Sequence, residues 1–317
     1  MNVCIVGATG AFGLKHIDAV KQIEGVAISS LVSPDLDKLD DLISTFEQPP
    51  VGYANLTAAL ESPDVDAVIL ATPTQMHAAQ AIECMEAGKH VLVEIPMADN
   101  IEDSYKVVEA QKKSGLIAMA GHTRRFNPSH QWIQNKIAAG ELHIQQMDVQ
   151  TYFFRRTNTN AKGEERCWTD HLLWHHACHT VDLFQYQTGE KATKLQAMQG
   201  PIHPKLGIAM DMSIGMKVPS GAICTLSLSF NNDGPFGTFF RYICEEGTYI
   251  ARYDDLFDGR ENPISLEGVA VSNNGIELID REFFDAIKTG REPNSSVASC
   301  LPAMETLHGL EQLLESE

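Results

Sequence analysis

Asn2-Val3-Cys4-Ile5-Val6-Gly7-Ala8-Thr9-Gly10-Ala11-Phe12-Gly13 sets the architecture of the first half of this chain. A short apolar run stops at a glycine, glycines recur at positions 7, 10 and 13, and a helical pattern continues to about Ile23. A turn between a buried strand and a helix is where a pyrophosphate can meet bare backbone N–H groups and the positive end of a helix dipole. The spacing is G-x-x-G-x-x-G instead of G-x-G-x-x-G, so position in the chain carries the nucleotide-binding expectation. A merely tight strand-to-helix turn is the plain alternative.

Beyond that turn, apolar strand patterns at Val26–Val32, Ala67–Leu70, His90–Val93 and Leu116–Ala120 alternate with helical patterns at Asp35–Phe46, Gln75–Ala87 and Ile101–Lys113. Near-continuous apolar strands between helices imply a parallel sheet covered on both faces, a doubly wound α/β half. The pattern changes after Gly121. Long strands at Gln145–Phe154, Ala222–Phe230 and Phe239–Arg252 lack intervening helices and are separated by turn-rich stretches such as Asn231-Asn232-Asp233-Gly234-Pro235. Helical patterns close the chain at about Ile276–Lys288 and Val297–Leu314. The expected organisation is residues 1–121 as a dinucleotide-binding domain and 122–317 as an α+β domain with an open, mostly antiparallel sheet.

The 317 residues allow about two domains. Lysine plus arginine number 24 against 42 aspartate plus glutamate, a net charge of −18. So acidic a chain is a poor partner for nucleic acid or a membrane surface, both polyanionic. No apolar run approaches the ~20 residues of a membrane span, and the start of the chain lacks a basic leader. Seven scattered cysteines without a C-x-x-C pattern fit reduced thiols and a cytoplasmic location.

The ribose 2′ end of a dinucleotide is met near the end of the second strand. There the chain reads Leu31-Val32-Ser33-Pro34-Asp35, with no acid at the strand tip and no arginine before Arg124. Only Ser33, or Lys38, could meet a 2′-phosphate, so the residues leave NAD and NADP both open. A short-chain dehydrogenase would need Tyr-x-x-x-Lys, which is absent.

Asp170 to Asp182 reads D-H-L-L-W-H-H-A-C-H-T-V-D. On a regular helix His171, His175, His179 and Asp182 would form one continuous face, with His176 to one side. Histidine titrates near neutrality, which suits general acid/base work. A metal site from His171, His175 and His179 lacks a nearby H-E-x-x-H glutamate, and a plain polar helix face is the third reading. Of ten arginines, four stand in adjacent pairs after predicted strands, Arg124-Arg125 and Arg155-Arg156. In a chain that repels anions at long range, guanidinium forks would be the local holders of an anionic substrate. Neighbours on a strand point opposite ways, so one of each pair is expected to face the substrate. Surface ion pairing is the plain alternative.

Thr72-Pro73-Thr74-Gln75-Met76-His77, Gly88-Lys89-His90-Val91 and Glu94-Ile95-Pro96 resemble the Gfo/Idh/MocA oxidoreductase family, along the whole chain. The stretches 121–130, 145–156, 168–176 and 229–235 resemble one branch of it that serves aromatic degradation. The resemblance implies a Rossmann domain followed by a substrate-binding and dimerisation domain. It also implies NAD(P)-dependent oxidation of a small dicarboxylate semialdehyde presented as its hemiacetal. It places His179 at the family's catalytic histidine, with His175 where the family carries an aspartate and Ile95 where it carries a lysine. These replacements argue against ordinary sugar or cyclitol oxidation, which stays the alternative alongside a non-catalytic nucleotide sensor. The implied site is His179 and His175 for catalysis, and Arg124, Arg125, Arg155, Arg156, His176 and Trp168 for substrate. Gly7, Gly10, Ala11, Phe12, Gly13, Ser33, Thr72, Pro73, His77, Glu94 and Pro96 are expected to hold the cofactor, NADP with NAD as the alternative. No metal is expected, and the partners are a small dicarboxylate and a second copy of the chain.

Overall fold

A computed structural model describes residues 1–316 except 160–162, 164, 167, 168, 273 and 274. The chain folds as two units, residues 1–123 with 272–301 and residues 124–271 with 302–317.

The first unit alternates strand and helix: β1 (Asn2–Val6), α1 (Ala11–Val20), β2 (Ala27–Val32), α2 (Leu36–Ile43), β3 (Val51–Tyr53), α3 (Leu56–Leu60), β4 (Ala67–Leu70), α4 (His77–Glu86), β5 (His90–Val93), α5 (Ile101–Ser114) and β6 (Ala118–Ala120). The strands form one parallel sheet in the order β3-β2-β1-β4-β5-β6. All four residues of β4 are buried, as a strand covered on both faces must be. The helices start where the sequence supplies caps: Asp35, Asn55 and Asn100 side chains accept backbone N–H bonds at α2, α3 and α5. Strand order reverses between β1 and β4, so the carboxyl ends at Val6 and Leu70 flank the switch point where doubly wound sheets bind ligands.

The second unit carries α6 (Pro128–Ala138), β7 (Ile144–Tyr152), α7 (Cys178–Thr188), β8 (Lys194–Gln199), β9 (Asp211–Lys217), β10 (Ile223–Ser229), β11 (Gly237–Cys244), β12 (Thr248–Arg252) and β13 (Asp255–Asp258). Its sheet order is β13-β12-β11-β7-β10-β9-β8, antiparallel except where β7 pairs parallel with β10. Alternation is clean: Met147, Val149, Cys224, Leu226, Leu228, Phe240 and Tyr242 are buried, while Gln150, Thr225 and Arg241 are exposed. The fold class read from sequence stands.

The sequence pattern kept everything after 121 together. In the structure, residues 272–301 belong instead to the first unit, through α8 (Glu277–Thr289) and the first residues of α9 (Val297–Glu315). Ser295 explains part of this, since its hydroxyl and carbonyl both bond Ala120 at the end of β6. No described helix is long and apolar enough to cross a membrane.

Candidate active site

In the first unit the glycine turn is built by sterics. Gly7 has φ +79°, and a Cβ there would lie 2.5 Å from the Ala71 carbonyl oxygen. A Cβ on Gly13 would lie 2.2 Å from the Gly7 carbonyl oxygen, so only glycine lets α1 start this close to the turn. The Gly7 and Ala8 N–H groups donate to Val32 at 3.0 and 3.1 Å, tying the turn to the end of β2. No side chain caps α1, whose N-cap is Gly10. Uncapped N–H groups, a cradle that a Cβ would fill and the switch-point position fit a dinucleotide pyrophosphate. Ala11 and Phe12 are exposed beside it.

The ribose end differs from the expectation. Ser33 is 1% exposed, and its hydroxyl is engaged by Thr9 at 2.8 Å and by the Asp35 N–H at 3.3 Å. Lys38 pairs with Asp35 at 3.1 Å. Beyond the strand tip the partly exposed Asp35 carboxylate caps the Lys38 N–H and pairs with the exposed Lys38 ammonium, and these bonds hold its carboxyl below the ordinary range.

Thr72 and Pro73 form the loop after β4, and Glu94 and Pro96 the loop after β5, where Ile95–Pro96 is cis. His77 is 1% exposed and braces the two loops, its Nδ1 2.8 Å from the Pro96 carbonyl and its Nε2 2.8 Å from that of Thr72. It is therefore a strut for these loops. Glu94 is also buried, bonded through Oε1 to His16 at 3.0 Å.

In the second unit, the histidine segment is not one regular helix. Leu172–Ala177 is π-helical, with i→i+5 spacing, and α7 begins at Cys178. The continuous face expected from i, i+4, i+8 and i+11 therefore splits. His171 and His175 pair edge to face, ring centroids 5.2 Å apart, and the His171 N–H donates to His175 Nδ1 at 3.2 Å. A neutral His175 must then carry its proton on Nε2. His176 turns to Asp170, its Nε2 3.1 Å from Oδ2, with its ring between Phe153 and Phe230. His179, half-buried, stands in the first turn of α7. Among the described residues, His171, His175 and His179 do not bring three ligand atoms to one point, which leaves the metal reading without support.

Asp182 closes with Arg125 instead. Arg125 donates through Nε at 2.7 Å and Nη2 at 2.6 Å to the two Asp182 oxygens, and both side chains are at most 3% exposed. The Arg125 guanidinium also lies over Tyr186, 4.5 Å from the ring centroid. Nε and Nη2 of Arg125, expected to hold substrate, are thus turned to Asp182 in a buried pair. Arg124 differs. It bonds Asn127 at 3.1 Å and stacks on Tyr253, yet its Nε is buried with no hydrogen-bond partner. A buried N–H without an acceptor is costly unless something else supplies one.

Arg155 and Arg156 follow β7 and separate as adjacent residues should. Arg155 is half-buried over Phe230 and donates to both oxygens of Asp170, at 2.9 Å for the Nη2 bond. Arg166 adds a bond to Asp170 at 3.0 Å. Burial alone would raise the Asp170 carboxyl, but the bonds and charges of His176 and Arg155 hold it far below the ordinary carboxylate range. One carboxylate thus serves two guanidiniums and a histidine, leaving a positive excess. Arg156 is exposed, and among the described residues its hydrogen bonds all run through Nη1, to Arg155 and Phe230 carbonyls and Asn231. Trp168 lies outside the described residues. Asp170 and Arg166 were missed in sequence, because they meet outside any helix and no periodicity announces the contact.

Sequence models of two families match the chain. "Oxidoreductase family, NAD-binding Rossmann fold" covers residues 1–122, and "Bacterial oxidoreductases, C-terminal" covers residues 128–270. The chain is 62% identical over 317 residues to 4-carboxy-2-hydroxymuconate-6-semialdehyde dehydrogenase of Sphingobium sp. (strain NBRC 103272 / SYK-6), covering all of both chains. Its fold is that of the Bordetella pertussis WlbA dehydrogenase solved with NADH and UDP-GlcNAcA (TM-score 0.85, 20% identity, 100% of this chain and 96% of that one). An oxidoreductase from Agrobacterium radiobacter, solved with NAD+, L-tartaric acid and magnesium, is similar at TM-score 0.83 and 17% identity, over 99% of this chain and 96% of that one.

Proposed function

The chain belongs to the Gfo/Idh/MocA oxidoreductase family, and on that footing we propose that it oxidises 4-carboxy-2-hydroxymuconate-6-semialdehyde, as its cyclic hemiacetal, to 2-pyrone-4,6-dicarboxylate. The observation that carries this reading is the 62% identity spanning the whole of both chains. The enol oxygen closes onto the aldehyde carbon to give a ring carbon bearing hydrogen and hydroxyl. Oxidation removes the hydroxyl proton and a hydride from that carbon, leaving the lactone carbonyl. No covalent nucleophile is required, consistent with the burial of every described cysteine.

His179 takes the hydroxyl proton as general base. His175, whose neutral form carries its proton on Nε2, is the donor that orients the ring oxygen. Arg124, with its buried Nε, and Arg156 hold the substrate carboxylates, while Arg155, Arg166 and His176 supply positive potential around Asp170. The Gly7–Gly13 turn holds the pyrophosphate, with the 72–73 and 94–96 loops toward the nicotinamide end. Bound nicotinamide dinucleotide supplies the hydride acceptor. We assign NAD as the preferred form, reversing the order expected from the family branch: Asp35 can accept ribose hydroxyl hydrogens and repels a 2′-phosphate. A second copy of the chain on the exposed face of the seven-stranded sheet completes the expected homodimer.

The test is reduced-cofactor formation from the protocatechuate ring-cleavage product. Turnover with NAD exceeding that with NADP is expected. Turnover confined to NADP would overturn the assignment of Asp35, and absence of turnover with either, despite cofactor binding, would overturn the substrate.

A further inference from the structure

His16 lies on α1, the helix that starts at the glycine turn, with its ring wholly buried. Its Nδ1 stands 2.9 and 3.1 Å from the two oxygens of Asp280 on α8, and its Nε2 stands 3.0 Å from Glu94 Oε1. Asp280 is fully buried, and Glu94 exposes 11% of its side chain. All three residues belong to the first unit.

Two carboxylates on opposite edges of one imidazole need a donor at each edge. A neutral ring carries one N–H and would turn a lone pair toward an anion. The doubly protonated ring satisfies both. Burial opposes that charge, but the charges of and hydrogen bonds to Asp280 and Glu94 outweigh it and raise the His16 pKa to about 10. Among the other charged groups facing the network, Glu277, one turn before Asp280 on α8, adds negative charge and is paired with Arg281 at 2.8 Å. His77 faces Glu94 from the start of α4.

Glu94 Oε1 is taken by His16, whereas Oε2 accepts the Ile95 N–H at 3.2 Å. Gly121 approaches the same oxygen, and a Cβ there would lie 3.4 Å from it. One oxygen is thus clamped and the other is aligned with the loop that the cofactor reading uses.

We propose that His16 is a positioning residue which, held by Asp280 and donating through both ring nitrogens, fixes the orientation of the Glu94 side chain as an acceptor for ribose hydroxyls at the nicotinamide end of the cofactor. The proposal rests on the reading that Glu94 meets the cofactor. It gives the returning segment 272–301 a functional reason to join the first unit, since α8 supplies the second anchor.

The test uses the full chain and NADH binding followed by fluorescence. Glu94→Gln should weaken NADH binding by roughly tenfold or more, and His16→Gln by a comparable factor. Asp280→Asn should make NADH affinity fall between pH 6 and pH 9, a range over which the wild type stays flat. In cofactor-free wild type, nitrogen NMR at pH 8 should show both His16 ring nitrogens protonated. Wild-type affinity in Glu94→Gln would remove the underlying reading. Weakened binding there, with wild-type affinity and pH profile in both other variants, would remove the clamp alone. A neutral His16 tautomer at pH 8 would also overturn it, and that measurement stands if His16→Gln does not fold.

Discussion

His16 and Asp170 are opposites. In the first unit one buried cation sits between two carboxylates, Glu94 and Asp280. In the second, one carboxylate is shared by Arg155, Arg166 and His176. The first network leaves negative charge over, the second positive. Yet both units are expected to hold anions, a pyrophosphate and a dicarboxylate. This acidic chain therefore meets anions in two ways. At the pyrophosphate, the uncapped α1 and its backbone N–H groups need no side-chain cation. A small dicarboxylate has no such helix terminus, and guanidiniums must serve.

The contrast is tested hardest at His179. A positioned acid/base group contributes ~10²–10⁴-fold in rate, so His179→Ala should lower kcat by that range and leave NADH affinity at the wild-type value. Steady-state rates with parallel cofactor titrations check this; a loss of both would mean the two units do not divide the work.

Next in size is the closed pair Arg125–Asp182, which separates a structural ion pair from a substrate-facing one. Removing one partner of a buried pair costs about 3–5 kcal/mol. Arg125→Ala should therefore lower unfolding stability by about that much in denaturant titrations. A cost below ~1 kcal/mol would return Arg125 to the substrate-holding residues.

Arg156→Ala should raise substrate KM by roughly tenfold or more with a smaller change in kcat, as expected when a charged hydrogen bond persists from ground state to transition state. An unchanged KM would move the carboxylate contact to another guanidinium.

A further effect is expected on stability against pH. The folded pKa of His16, about 10, exceeds its ordinary 6.5. Its contribution is therefore fully present below pH 6.5 and disappears as pH rises toward 10. Thermal unfolding should show wild-type stability falling across that window, and His16→Gln should flatten the fall. An unflattened fall would place the titrating group elsewhere.

Much of this was legible in sequence because it is local. The glycine turn, the alternation of β1 to β6 and the cluster of histidines all follow from spacing within a dozen residues. The loop residues Thr72, Pro73, Glu94 and Pro96 came by resemblance to a family. What escaped is long-range or depends on a departure from ideal helix geometry. His16 and Asp280 are 264 positions apart, and nothing in either helix pattern announces the other. The π-helical turn at Leu172–Ala177 sends His176 to Asp170 and separates His171 and His175 from Asp182, against the 3.6-residue periodicity. Strand β9 alternates cleanly, with Met212, Ile214 and Met216 buried, and was a legible signal left unread, whereas β8 places Ala197 and Met198 side by side and breaks the period. Ser33 illustrates the reverse case: it was correctly placed at the tip of β2, but only its contact with Thr9 reveals that its hydroxyl is engaged.

The decisive measurement is the identity of the product formed in a single turnover with NAD and the ring-cleavage semialdehyde. Oxidation of the hemiacetal, with His179 as base and no covalent enzyme intermediate, yields 2-pyrone-4,6-dicarboxylate and one equivalent of NADH, read by mass and absorbance. An open-chain tricarboxylate as the initial enzymatic product, heavier by one water, would instead mean that the free aldehyde is oxidised, and would contradict the proposed chemistry.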